Sequence, residues 1–318
     1  MAELILHLPH LESSAPERLP EPLASALRMA RHAPAGSADA LAAALGRGPL
    51  PPAAARSALG AGIDPGDAFW IRFDAVRMRP DLTAVWIDRP VELDFGAPAL
   101  SDLRRELTEL FESEALAGGL RFAGRFGLLA LDGAPDCRFA ELAAVQGGRL
   151  DECLPTGPDA SRWRRLITAA QMLFHRFRAL DRADPSGVGL WFWGGGRLAA
   201  PTQPAGDLRV VDAFDDALAR GLGRWLDAPV ADPDACWPPA AGDDGRFIVE
   251  LPDDAADPAR ALQTLVADWL VPALAALRHG RLKRIRIVAS HGGWRLGRFH
   301  RLALWRRRIR GLAGDAAP

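Results

Sequence analysis

The chain has 318 residues, of which 49% are hydrophobic and 25% charged, and its formal net charge is −1. These values are typical of an ordinary globular protein with room for one large domain or two smaller ones. Apolar runs are too short to span a bilayer, which takes about 20 residues, so the sequence predicts no membrane association.

The three cysteines, Cys137, Cys153 and Cys236, lie far apart and form no Cys-x-x-Cys pair. This spacing argues against a thiolate zinc site and fits a reducing compartment. The first residues also lack the basic segment of a signal peptide. We therefore predict a cytoplasmic protein.

The N-terminal part begins with a predicted strand at residues 4–8. Residues 12–65 are rich in Pro, Ala and Gly, and short helices are predicted at 21–33 and 37–46. We assign residues 1–65 to the first strand and an irregular helical segment of the main body.

Residues 66–132 predict a small α+β lobe. Strand patterns at 69–73 and 84–88 form one hairpin, a helix begins at Ser101, and strands at 120–122 and 126–131 form a second hairpin. This order is β-β-α-β-β, with one helix on a sheet. Residues 133–158, which are interrupted by prolines and glycines, form a connector.

Residues 159–318 alternate predicted helices and strands, which indicates an α/β body with a basic C-terminal end. The predicted elements are a helix at 160–181, a strand around Trp191, a short strand at 210–211, a helix at 215–226, a strand at 247–251, a helix that starts at Pro258, kinks at Pro272 and stops at Gly280, a strand at 282–289, and a hairpin into 294–296.

Three stretches together resemble the archaeal-type, cofactor-independent phosphoglycerate mutases of the alkaline-phosphatase superfamily. They are the Gly-Asp-Ala-Phe-Trp-Ile-Arg-Phe motif at residues 66–73, the β-β-α-β-β order that follows, and the Leu-Trp-Phe-Trp-Gly-Gly-Gly stretch at residues 190–196 after a long helix. The resemblance implies a reduced phosphatase-like α/β sheet body with a small inserted α+β lobe.

Two further motifs resemble the bacterial RpfE-type regulatory protein family, whose members are similar in length. They are the Leu-Pro-Thr-Gly-Pro-Asp-Ala-Ser-Arg-Trp-Arg sequence at residues 154–164 and the Trp-Arg-Arg-Arg sequence at residues 305–308. That resemblance implies a bacterial regulatory protein.

The chain departs from the mutases where their chemistry resides. Their first strand runs into an Asp-Gly metal-ligand turn, whereas here it runs into Pro9 and His10, and the family's C-terminal Asp and His ligand set is missing. Two clustered metal ions need several such ligands. The resemblance therefore implies a non-catalytic regulatory or binding protein without a cofactor, whose partner is a protein or a phosphorylated small molecule. The alternative is a phosphoglycerate mutase-like or phosphatase-like enzyme with a metal such as Mn or Zn.

The candidate anion site is the glycine run Gly194, Gly195 and Gly196 with Arg197. Backbone N–H groups and one guanidinium can cradle an anion, but the same glycines also suit a turn that needs positive φ.

Two weaker candidates lie at the ends of the chain. His7 and His10 form a His-x-x-His pair, which suits a metal on a helix better than on a strand. Between Arg278 and Arg310 there are twelve Lys or Arg and no Asp or Glu. This basic end either pairs with the acidic remainder of the chain or binds nucleic acid, the second alternative function. The patch at its end consists of Arg301, Arg306, Arg307, Arg308 and Arg310.

Overall fold

The structure is a computed structural model. It describes residues 2–9, 11, 16–34, 40–46, 48–114, 116, 119–177, 187–200, 206–231, 244–290 and 292–298. The predicted basic patch, His10 and Cys236 lie outside these described residues.

The chain divides into two compact units. The first, which we call the body, comprises Met1–Leu50, Ala200–Pro252 and Asp257–Pro318. The second, which we call the lobe, comprises Pro51–Ala199 and Asp253–Ala256. Because the lobe interrupts the body sequence, the predicted class of an α/β sheet body with an inserted α+β lobe is confirmed.

The body is built on a seven-stranded sheet of order β2-β12-β11-β1-β10-β8-β9. β11, β1, β10, β8 and β9 run parallel, and β12 and β2 are antiparallel at one edge. Its strands are β1 (Ala2–His7), β2 (Arg31–Pro34), β8 (Leu208–Val211), β9 (Val230–Ala231), β10 (Arg246–Glu250), β11 (Leu282–Val288) and β12 (Gly292–Gly297).

Side-chain alternation along these strands divides the sheet into two faces. One face, with Leu4, Phe247 and Ile285, packs into one hydrophobic core with α1 (Glu21–Met29) and the helical stretch Pro258–Arg278. α8 (Ala217–Leu226) covers the other face at β8, and α2 (Ala40–Leu45) contacts β11 there. A one-turn 3₁₀ helix, Pro16–Arg18, precedes α1.

The helical stretch after β10 begins where the sequence predicts it. Asp257 caps α9 (Pro258–Leu265) by accepting from the Arg260 N–H at 2.9 Å. A π-helical turn, Val266–Leu270, follows and joins α10 (Val271–Arg278). The helix therefore absorbs the missing N–H of Pro272 by widening one turn.

By length and composition alone, this stretch of 21 residues with mean hydropathy 1.2 could cross a membrane. However, Leu265, Trp269 and Leu277 are buried in the body core. We therefore assign it as a core helix of the body.

The lobe contains a five-stranded sheet in which the long strand β3 (Phe69–Pro80) pairs on one side with β6 and β4 and on the other with β7. β5 pairs with β6 at the far edge. The other strands are β4 (Val85–Pro90), β5 (Leu120–Ala123), β6 (Phe126–Leu131) and β7 (Gly187–Gly196).

Helices cover the lobe sheet and supply its core. Phe73, Phe111, Trp163 and Phe192 meet in one buried aromatic cluster between the sheet and the two longest helices. α3 lies against β3 and β7. The helices are α3 (Ala53–Gly60), α4 (Ser101–Ser113) after a 3₁₀ turn at Pro98–Leu100, the one-turn α5 (Leu142–Val145) and α6 (Leu150–Cys153), and α7 (Ala160–Arg176).

The structure corrects the predicted placement of the Trp191 strand. The sequence places this strand and the preceding helix in the body, but β7 runs antiparallel beside β3 and α7 packs on β7 in the lobe. The lobe accordingly extends beyond the predicted boundaries at residues 66 and 132, and the predicted connector 133–158 lies inside it. α3 and β2, in the segment predicted to be irregular, are further elements that the sequence does not predict.

The turn between β3 and β4 is organised by the exposed carboxylate of Asp81. It accepts hydrogen bonds from the backbone N–H groups of Thr83 and Ala84 and from the indole of Trp86, at 2.7, 2.8 and 2.5 Å. The Thr83 N–H, followed by the Trp86 indole, lowers the pKa of Asp81 well below its usual range. The ionised carboxylate therefore stabilises the hairpin.

We predict that Asp81→Asn destabilises the lobe at neutral pH and that the difference from wild type shrinks in acid. A carboxyl group whose pKa is lowered by folding contributes stability above its unfolded pKa of about 3.9, and this contribution is lost as the pH falls further. Thermal melts between neutral pH and pH about 3 measure the difference. The control is Asp88→Asn, at an exposed position of β4. A pH-independent difference would show that the charge of Asp81 is not the cause.

Candidate anion-binding site

The glycine run of residues 194–196 continues β7 and does not form the predicted turn. α3 packs directly on it. A Cβ on Gly196 would lie 2.2 Å from Pro52 Cγ, and a Cβ on Gly194, whose φ is +65°, would lie 2.7 Å from the Cβ of Ala53. Side chains are therefore excluded here because the N-terminal end of α3 occupies their space.

Arg197, the fourth member of the predicted anion site, is bound to the lobe itself. Its guanidinium donates to the backbone carbonyl of Asp67 and, at 3.0 Å, to that of Asp132. These contacts link the end of β7 to the segments flanking β3 and β6. The geometry gives the four residues a packing role, and anion binding by them stays a prediction.

A buried ionic cluster lies beneath α3. Arg72 and Asp74 are two residues apart on β3 and share a face, and the guanidinium meets both carboxylate oxygens at 2.9 and 2.8 Å. Arg72 also donates to Ser57 Oγ of α3 at 2.9 Å and to Asp254. Trp193 Nε1 donates to Asp74 at 2.6 Å.

Arg72 is fully buried and is enclosed by aromatic rings as well. Its guanidinium carbon lies 4.2 Å from the ring centre of Phe126 and 5.0 Å from that of Trp193. Burial raises the pKa of Asp74, although the charge of Arg72 opposes the shift. Because these donors and acceptors bond to one another, the cluster organises the lobe core.

The carboxyl ends of the parallel strands form the edge where α/β sheets usually bind ligands. After β8, the chain passes through α8 on one face of the sheet to β9 at the sheet edge. After β10, it passes through the Pro258–Arg278 stretch on the other face to β11, in the opposite direction. The direction of the connections therefore changes between the neighbouring strands β8 and β10. His7 Nδ1 lies 3.0 Å from Glu250 Oε1 at this edge.

The loop that follows β8 at the same edge carries three more acidic residues. Arg220 of α8 donates to Asp212 at 2.7 Å and to Asp215 at 2.6 Å, and Asp216 caps α8. Burial disfavours the charged guanidinium, but the bonds to Asp212 and Asp215 outweigh it and raise the pKa of Arg220. Asp215 has a φ of +52°, a conformation held by this local network.

The donors described at this edge do not fit the two-metal centre of the phosphatase superfamily. Asp212 and Asp215 both face the guanidinium of Arg220, whose positive charge would repel a cation between them. Within the described residues, no three His, Cys, Asp or Glu side chains are grouped to hold a metal ion. His7 is paired with Glu250, and the second predicted ligand, His10, lies outside the described residues.

A row of arginines crosses the antiparallel edge of the body sheet. In the sheet register Arg286 of β11 lies opposite Arg295 of β12, and Arg295 lies opposite Arg31 of β2. Arg284 stands two residues before Arg286 on the same face. Like charges directly opposite one another destabilise a sheet. We call these four side chains the arginine row.

Glu3 of β1 is the carboxylate that partly balances the arginine row. Its Oε1 lies 2.5 Å from Arg286 Nε and 3.8 Å from Arg284 Nη1. Burial, together with Arg284, Arg286 and Arg31, lowers the pKa of Arg295, and Glu3 opposes this shift. Within the described part of the chain, no carboxylate lies within ion-pair distance of Arg31 or Arg295.

A cavity of about 200 Å³ opens beside the arginine row. Arg286 and Arg295 line it together with the small side chains Ala40, Ala43 and Ala44 of α2 and the backbone of Gly293. Arg286 is held in place because its Nη1 donates to the Ala44 carbonyl at 2.8 Å. A cavity of this size has room for a small anion.

A larger cavity of about 820 Å³ lies in the lobe and has a different character. Its walls are mainly apolar and include Met78, Met172 and Leu173. Among the described lining residues, Arg176 is paired with Glu106 at 2.6 Å. With Gln171 and His175 as its other polar lining residues, the cavity offers less positive charge than the arginine row.

No protein-family model matches the chain, and a search of curated proteins finds no match. Similar solved structures include the following two. The PH0037 protein from Pyrococcus horikoshii is 14% identical over 93% of this chain and 87% of its own, with a TM-score of 0.44. A cofactor-independent phosphoglycerate mutase from Thermoplasma acidophilum is 14% identical over 93% of this chain and 90% of its own, with a TM-score of 0.37.

Both TM-scores lie below 0.5. The mutase and RpfE-type resemblances stay predictions.

The sequence analysis predicts neither the buried cluster of Arg72 and Asp74 nor the arginine row. Arg72 and Asp74 stand at i and i+2 in an otherwise apolar strand, a spacing that places two opposite charges on one face. The arginine row depends on pairing between β2 and β12, which are distant in the chain. Local patterns could therefore reveal the first feature but not the second.

We predict that Gly196→Ala lowers the free energy of unfolding by about 1–3 kcal/mol, because the added methyl group overpacks against Pro52. Urea denaturation measures the loss. The matched control is Gly187→Ala in the same strand, where a Cβ would meet nothing within 4 Å. If both variants are equally stable and only Gly196→Ala loses affinity for inorganic phosphate, the glycines act as an anion cradle instead.

We also predict that Arg72→Met lowers the free energy of unfolding by about 3–5 kcal/mol, because it leaves the buried carboxylate of Asp74 without its cation. Adding Asp74→Leu should recover part of the loss, since neither partner then remains charged. Arg121→Met, at an exposed position of β5, is the control. A loss no larger than that of the control would contradict a structural role for the cluster.

Proposed function

We propose that this chain is a non-catalytic binding protein for a phosphorylated small molecule and that the arginine row with its cavity is the binding site. The observation that carries this proposal is the local excess of positive charge. Four guanidinium groups share one face, and Glu3 is their carboxylate partner in the described part of the chain.

The chemistry of arginine supports a phosphate as the ligand. Its planar guanidinium presents several N–H donors that match two oxygens of one phosphate group, and such charge-assisted bonds are stronger than neutral ones. Arg286 and Arg295 are opposite one another and both line the cavity. A phosphate placed there would also relieve the repulsion between the two cations.

Binding without catalysis is supported by the contacts of the ionisable side chains at the carboxyl ends of the parallel strands. His7 is paired with Glu250, while Asp212 and Asp215 are bound to Arg220. The two aspartates therefore already face a cation of this chain. The regulatory role that the RpfE-type resemblance implies would follow from ligand binding, and a cytoplasmic location remains part of the proposal.

We predict that inorganic phosphate and 3-phosphoglycerate bind to the wild-type protein and that Arg295→Ala weakens both by about tenfold or more. Losing a hydrogen bond to a charged group costs about 1.5–3 kcal/mol, and 1.4 kcal/mol corresponds to a tenfold change. Isothermal titration calorimetry at low salt measures the affinities. Arg260→Ala, at an exposed position of α9, should leave them unchanged.

Three results would contradict the proposal. If the wild-type protein binds neither anion, the arginine row is not a phosphate site. If Arg295→Ala binds both anions as tightly as wild type, the site lies elsewhere. Turnover of 3-phosphoglycerate or p-nitrophenyl phosphate on addition of Mn²⁺ or Zn²⁺ would show that the protein is an enzyme.

A further inference from the structure

We infer that the ligand of the arginine row carries two phosphate groups, as a diphosphate or a bisphosphorylated small molecule, and not a single one. This inference rests on the proposed function and specifies the class of ligand. The arguments for it are the net charge of the row and its extent beyond the cavity.

The net charge of the row exceeds that of one phosphate group. Four guanidinium groups and the carboxylate of Glu3 leave about three positive charges on one face of the sheet. Arginine stays protonated in proteins. A phosphate monoester carries about −1.5 to −2 at pH 7, whereas two such groups carry about −3 to −4. A ligand with two phosphate groups therefore neutralises the row.

The row is also longer than the cavity. Arg286, Arg295 and Arg31 stand on three successive strands, and neighbouring strands are about 4.8 Å apart, so their backbones span about 10 Å. The cavity is lined by Arg286 and Arg295 but not by Arg31. One anionic group fits in the cavity, which leaves Arg31 on the edge strand for a second.

Arg31 is better suited to this second contact than the remaining arginine of the row. Arg284 already lies 3.8 Å from Glu3, whereas Arg31 is exposed and has no carboxylate at ion-pair distance within the described residues. We therefore assign the cavity to one phosphate group of the ligand and Arg31 to the other.

The test compares four probes by isothermal titration calorimetry on the full chain: phosphate, pyrophosphate, fructose 6-phosphate and fructose 1,6-bisphosphate. We expect pyrophosphate or the bisphosphate to bind at least tenfold more tightly than its single-phosphate counterpart. In Arg31→Gln the ratio of the two affinities should fall towards one. Because Arg31 is an exposed side chain on an edge strand, this variant should fold. Arg260→Gln should leave the ratio at its wild-type value.

The outcomes separate this inference from the proposed function. If single-phosphate and two-phosphate probes bind equally well, or if Arg31→Gln keeps the full ratio, the inference is wrong and phosphate binding stands. If no probe binds, the proposed function itself is wrong. A single-stranded oligonucleotide that binds more tightly than every small probe would overturn the assignment to a small molecule.

Discussion

The close approach of α3 to the lobe sheet is the constraint on which the lobe depends. The helix can lie against β7 because Gly194 and Gly196 have no side chains, and its Ser57 then reaches the guanidinium of Arg72. A larger residue in the glycine run would push α3 outward and separate Ser57 from Arg72. The hydrogen bond from the buried guanidinium of Arg72 to Ser57 therefore depends on the close packing of α3 against the glycines.

Arg72 of the lobe and the arginine row of the body have opposite electrostatic surroundings, and the contrast points to the candidate site. In the lobe, one buried guanidinium is matched by two carboxylates, a hydroxyl group and two aromatic rings. In the body, four guanidinium groups face a single carboxylate in the described part of the chain. Desolvated charges are stable only when paired, whereas exposed charges without partners are available to a ligand.

Local patterns predicted most of the elements but not how distant elements combine. The hairpins of the lobe, the Asp257 cap and the alternation of Ile285 and Ile287 with arginines were all visible in the sequence, because each involves near neighbours. The pairing of β7 with β3 was not visible, since more than 100 residues separate the two strands and no local periodicity encodes their partner. The glycine run was predicted as an anion site for this reason, because the helix that fills its space precedes it by about 140 residues.

The same limit applies to the arginine row. The sequence showed a basic segment from Arg278 onward, and its charge was predicted to pair with the acidic remainder or to bind nucleic acid. The fold pairs Arg284 and Arg286 of this segment with Glu3, and nucleic-acid binding stays a prediction. It places Arg286 and Arg295 opposite one another and adds Arg31 from the N-terminal part of the chain.

The distribution of charge within the body also determines where an anion can bind. Among the described residues, the carboxyl edge carries Glu250 beside His7, Asp212 and Asp215 beside Arg220, and Asp216 at the start of α8, so acidic groups outnumber arginines there. The arginine row lies on the antiparallel side of the same sheet, where the local charge is positive. In most α/β proteins the ligand binds at the carboxyl edge. Among the described residues, the arginine row offers the larger excess of positive charge, so electrostatics favours this surface for an anion.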